Sequence, residues 1–132
     1  MDTYEVGDRT PIKVKTAIST EGTAFTFVLL NDENNPGKFV ADMAYHVTPN
    51  IGRKQIAGGS SLKGRTVRIK TLVDFFIDFP NEETFNLAVQ RAKDSYLAQL
   101  FGGNPDAFSC TVQSFPNFPR NGVEFFSEVS LT

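Results

Sequence analysis

The sequence predicts an α+β domain, an antiparallel β-sheet with an N-terminal hairpin and one long amphipathic helix packed on one face. Three observations predict it. Apolar and polar residues alternate through residues 12–19, 24–30, 38–48, 66–79 and 123–132, which is the period of a strand with one wet face. The period changes once, over 80–103, to that of a helix. Turn-forming residues separate the runs.

The first strand, "IKVKTAIS" (12–19), sends Ile12, Val14, Thr16 and Ile18 one way and Lys13 and Lys15 the other. The turn "TEGT" leads to "AFTFVLL" (24–30), with Phe25, Phe27 and Leu29 on one side. After the loop "NDENNPG" (31–37) comes "KFVADMAYHVT" (38–48). There Phe39, Ala41, Met43, Tyr45 and Val47 share a face, and Asp42 and His46 share the other. Residues 49–64 are poor in apolar side chains and read as a short strand around "RKQI" followed by a mobile tip. The strongest strand signal is "TVRIKTLVDFFIDF" (66–79). Val67, Ile69, Val73, Phe75, Ile77 and Phe79 lie on one face, with Arg68, Lys70, Asp74 and Asp78 on the other. Unbroken, it would span about 46 Å at ~3.3 Å per residue, long enough to suggest a sheet continued across subunits.

The helix is expected to be capped by Asn81, with Glu82 and Glu83 at the positive end of its dipole. Phe85, Val89, Ala92, Tyr96 and Leu100 recur at helical spacing, and Gly102 and Gly103 supply a stop. Residues 107–115 read either as a strand or as a short helix opened by Asn104-Pro105. A proline-rich loop follows, and 123–132 is a final strand.

Length and composition fit a single globular domain over residues 1–132. Thirteen phenylalanines without a tryptophan imply more apolar surface than one small subunit readily hides. No run is long enough for a membrane helix, and the polar, acidic N-terminus is unlike a signal peptide. The single cysteine, Cys110, excludes an intrachain disulfide. It is expected to be a buried, inert thiol, with an intermolecular bridge as the alternative. Six cations and no acid fall between Arg53 and Lys70, while the rest of the chain carries a net charge of −8. Such a block suggests a polyanionic partner; solvated pairing with acids elsewhere is the plainer account.

"GSSLKGRT" (59–66) differs from a phosphate-cradling loop only in having Arg65 where that pattern has lysine. A phosphate loop needs a helix after it to supply amide groups and a dipole. Here a strand pattern follows, so the glycines are expected to turn the chain into the long strand. His46, the only histidine, shares a strand face with Asp42 but has no visible nucleophile and no second histidine for a metal. Asp74 and Asp78 stand about 13 Å apart along a strand, wider than the ~5–9.5 Å of paired glycosidase carboxylates. No enzyme, metal or cofactor is expected.

What remains is a sheet with an apolar face toward the helix and a cationic face that could neutralise phosphates. Phe76 shares strand parity with Arg68 and Lys70 and could stack an unpaired base. The order of elements in "TVRIKTLVDFFIDFPNEETFNLAVQRAKDSYLAQLFGG" (66–103), preceded by "AYHVTPNIGRKQ" (44–55), resembles the coat proteins of single-stranded RNA bacteriophages. That resemblance implies an intertwined homodimer that self-assembles into an icosahedral shell. Its inner sheet face would bind genomic RNA, including a hairpin. The helix 82–101 would clasp the partner subunit through Phe85, Val89, Ala92, Tyr96 and Leu100. Arg53, Lys54, Arg68, Lys70 and His46 would face RNA, and the tip at 57–64 would meet neighbouring dimers. The setting would be a virion assembled in the bacterial cytoplasm. In that family a second helix usually lies near the C-terminus, whereas 107–132 here reads as extended. The rival readings are a non-enzymatic bacterial β-rich adaptor protein and a carrier of a small hydrophobic ligand.

Overall fold

Alternation becomes a strand only where a neighbour satisfies the backbone, and the neighbours divide this chain between two sheets. The computed structural model describes residues 1–7, 10–32, 34–35, 37–45, 51–58 and 62–132. The strands are β1 (Asp2–Tyr4), β2 (Pro11–Ala17), β3 (Gly22–Asn31), β4 (Phe39–Tyr45), β5 (Ile51–Gly58), β6 (Thr66–Phe75), β7 (Leu97–Phe101), β8 (Ala107–Ser109), β9 (Gln113–Asn117) and β10 (Gly122–Leu131). The helix α1 (Glu82–Ser95) lies between β6 and β7. A six-stranded sheet has the order β1-β10-β6-β3-β4, with β9 sharing the β10 edge with β1. A four-stranded sheet has the order β5-β2-β7-β8. Pairing is antiparallel except where β1 runs parallel to β10. The α+β class is as the sequence predicts.

Three expectations change. Strands β2 and β3, consecutive across "TEGT", do not form the expected hairpin: β2 joins β5 and β7, while β3 joins β4 and β6. Glycine at position 22 permits that departure, because a Cβ there would strike the Asp74 carbonyl across the sheet. The helix also ends sooner than its pattern suggests. The Asn81 side chain accepts the Thr84 N–H at 2.9 Å, as an N-cap should. The far end is set by Ser95, whose hydroxyl accepts the Ser19 N–H at 2.9 Å and donates to the Ala92 carbonyl at 2.8 Å. Tyr96 is extended, at φ −75° and ψ 136°. Leu97–Phe101 is then strand β7, with Ala98 and Leu100 buried. Tyr96 and Leu100 continue the four-residue spacing of the helix, but Ala98 and Leu100 also fit period two. The short segment carries both patterns, and pairing with β2 decides. Gly102, at φ 99°, makes the β7–β8 turn; a side chain there would strike the Pro11 carbonyl.

The long strand stops at Phe75, short of Phe79. The Asn121 side chain takes over there, donating to the Phe75 carbonyl at 3.2 Å and the Ile77 carbonyl at 2.5 Å. The C-terminal region is built from strands β8, β9 and β10, joined by the connector 110–112 and one 3-10 turn at Phe118–Arg120.

The inner face of the six-stranded sheet is covered twice. The small sheet covers Val28, Leu30, Val67, Ile69, Val129 and Leu131. The helix covers Ala24, Val73, Phe75, Val123 and Phe125 with Phe85, Ala88, Val89 and Ala92. Between the covers each central strand places one hydroxyl residue, Thr26, Thr71 and Ser127, all buried. Thr26 and Thr71 hydrogen bond at 2.9 Å, and Thr71 reaches the Tyr96 hydroxyl at 2.8 Å. Tyr96 stacks on Phe125 at 5.0 Å, so it touches both halves of the core. Burial pushes its phenol up to about 12, against partial relief from Thr71.

Candidate nucleic-acid interface

Strand parity that buries Val67, Ile69 and Thr71 turns Arg68, Lys70 and Leu72 outward. Register then lines up rows across the outer face of the six-stranded sheet. One row is Glu128–Arg68–Leu29, the next Phe126–Lys70–Phe27 and the next Glu124–Leu72–Phe25. On the β9 side Gln113 continues the second row and Phe115 the third. Helix and small sheet both lie on the other face.

Arg68 is held on two sides. Its Nε donates to Glu128 at 2.6 Å, and its guanidinium lies 3.6 Å from the Phe39 ring centroid. The pair is partly exposed, so water and salt screen it and it contributes little to stability. Lys70 stands 5.8 Å from the Phe126 ring, at the outer range of a cation–π contact. Phe115 meets Phe126 edge-on at 6.4 Å and is 52% exposed. The face therefore combines cations with aromatic rings, along with Asp74, Glu124 and Glu128. The arrangement can hold a phosphate against Lys70 and a planar base against Phe115.

The sequence-predicted residues do not all converge here. Arg68 and Lys70 do. Arg53 and Lys54 lie on β5, in the other sheet, so the basic block 53–70 is split between two layers. The reason is that chain contiguity does not imply spatial contiguity once β5 and β6 enter different sheets. His46 lies outside the described residues. Phe76 is 76% exposed just past the end of β6. Of the proposed dimer-clasping residues, Phe85, Val89 and Ala92 are buried against the chain's own sheet, and Leu100 lies in the small sheet's core. Tyr96 ends the helix.

The residues that sequence reasoning passed over are Phe39, Phe115 and Phe126. The signal for Phe126 was its parity within "VEFFSEVSLT". Phe115 was legible only once β9 was known to pair with β10.

Arg65 does not act as a phosphate lysine. Its guanidinium donates twice to the Asn31 carbonyl, at 3.0 and 2.7 Å, and strand β6 follows at once. Leu62, at the base of the expected mobile tip, is buried in the core. Cys110 is a buried free thiol, pushed up to about 12 by burial and then by the nearby Asp2 carboxylate, so it stays protonated at neutral pH. Among the described residues no cluster of His, Cys, Asp or Glu is arranged to hold a metal, and no helix is long and apolar enough to cross a membrane.

No protein-family model, curated protein or solved structure matches the chain.

Proposed function

We propose that this chain is a non-enzymatic structural protein that assembles with copies of itself. It binds single-stranded RNA on the open face of its six-stranded sheet, as the coat proteins of RNA bacteriophages do. The observation that carries the reading is the placement of Arg68 and Lys70 beside Phe39, Phe115 and Phe126, on the face away from the helix. Phosphate neutralisation and base stacking need those two residue types side by side. Because the apolar side of α1 is occupied within the chain, the subunit contact moves to the sheet. Strand β4, paired only with β3 among the described residues, offers an edge to which a second sheet can add.

Expression in bacteria tests both parts. Size exclusion with light scattering and negative-stain microscopy should find closed shells or large assemblies containing nuclease-protected RNA. Lys70→Glu should weaken RNA binding about tenfold or more and lower the salt slope by about one. Arg68→Ala should weaken it less, because Glu128 already offsets that charge. A stable, RNA-free monomer overturns the proposal.

A second reading, an adaptor that docks another protein, is favoured by one observation. Asp74, Glu124 and Glu128 share the face with exposed Leu72 and Phe115, 40% and 52% exposed. Mixed charge around apolar side chains suits a protein partner. Binding that ignores salt and survives Lys70→Glu would select it.

A further inference from the structure

The outer side of the small sheet carries a cleft that the open face does not account for. Thr10, Pro11, Lys13, Arg53, Phe101 and Asp106 line about 210 Å³. Lys13 comes from β2 and Arg53 from β5, which are neighbours. The β2–β5 ladder is irregular at two points there, and Arg53 has φ 42°, a conformation that L-residues avoid. Bulges re-aim side chains. Here the guanidinium lies 4.2 Å over the Phe101 ring, and Arg53 and Lys13 both line the cleft. Among the described residues neither cation forms an ion pair. Asp106 accepts the Gly102 N–H at 3.2 Å, and among the described residues lining the cleft two cations stand against this one carboxylate. A strained arginine kept beside a second cation is an observation that asks for an anion.

We propose that the anion is the acidic start of the helix of a second copy, presented by Asp78, Glu82 and Glu83. This rests on the self-assembly reading above and names one of its contacts. Charge complementarity selects the occupant. From Asp74 to Gln90 the chain has four carboxylates and no cation. Asp78, Glu82 and Glu83 are exposed and form no ion pair among the described residues. The two patches belong to different layers. Phe85, at the helix start, packs in the helix-covered half of the core, whereas the cleft opens on the small sheet. A contact joining two different patches is heterologous, and it closes into a ring or propagates. That is the geometry a shell or filament needs.

The test exchanges charges between copies. One variant carries Lys13→Glu and Arg53→Glu; the other carries Asp78→Lys and Glu83→Lys, with Glu82 kept for the helix dipole. Assembled mass is followed by light scattering, and folding by circular dichroism. Each variant alone should lose assembly about tenfold or more, and the two mixed should recover it. Lys13→Gln with Arg53→Gly relieves the backbone strain at position 53 and should still weaken assembly. Folded variants that assemble like the parent, or a mixture that stays dissociated, overturn this contact and leave self-assembly standing. A parent protein that is monomeric at every concentration overturns both.

Discussion

The two halves of the sheet's inner face are built from the same three strands but covered differently. Under the small sheet the side chains are mostly aliphatic: Val28, Leu30, Val67, Ile69, Val129 and Leu131. Under the helix Phe75 and Phe125 join Ala24, Val73 and Val123, and further rings come from the helix and the neighbouring loops. Phe75, Phe79, Phe85 and Phe118 form a chain of ring contacts with centroids 5.4 to 5.9 Å apart. A second sheet lies flat and accepts branched aliphatic chains on its pleats. A helix is a cylinder, and large rings fill the wedges beside it. The phenylalanine excess thus has a local cause within the subunit. One continuous strand thus meets a covering sheet with Val67 and Ile69 and a covering helix with Val73 and Phe75.

The comparison is sharpened most by truncating each half. Phe85→Ala should cost about 3–5 kcal/mol, because it removes a buried ring that three others touch. Ile69→Val, in the other half, should cost only about 0.5–1.5 kcal/mol. Urea unfolding reads both values, and amide exchange should show α1 opening first in the Phe85 variant. Loss of protection in the small sheet ahead of α1 would mean that the halves are not separable.

A smaller effect is expected between them. Thr71→Val keeps the shape but leaves the Thr26 and Tyr96 hydroxyls without their shared partner, at a cost of about 1–3 kcal/mol. Tyr96→Phe made together with it should recover part of that loss. Equal stabilities for the single and double variants would show that the hydroxyl chain does not couple the halves.

The smallest effect at neutral pH is the alkaline one. Tyr96 and Cys110 are each raised to about 12 from ordinary values of 10.0 and 9.0. Their neutral forms are favoured in the fold, so they take nothing from stability below about pH 9. Above that the unfolded chain releases protons the folded chain keeps, and stability falls toward pH 12. Cys110→Ala should remove the earlier part of the decline, and Tyr96→Phe the later part. Thermal melts at stepped pH measure both.

Much of this was legible in the residues. Alternation located β2, β3, β6 and β10 to within a few positions, and the Asn81 cap and acidic first turn fixed where the helix begins. The end of the helix was not legible, since Ser95 stops it through Ser19, a residue far away in the chain. The division into two sheets was hidden for a related reason. Parity says which side chains share a face but not which strand lies alongside, and "TEGT" looks like a hairpin turn whether or not its strands pair. The same gap explains the candidate site. Arg68 and Lys70 share one strand and stayed together, whereas Arg53 and Lys54 were grouped with them by sequence proximity alone.

Strand β10 has a further consequence. It lies between β6 and the first strand of the chain, with Tyr4 opposite Leu131 and Val67 opposite Val129. A ribosome must therefore have delivered residues 122–130 before β6 gains its second neighbour, and 129–131 before β1 finds its own. Until then the aliphatic half of the layer is unsealed and open to adventitious partners. Growing chains of this protein should depend on chaperones until β10 has left the ribosome.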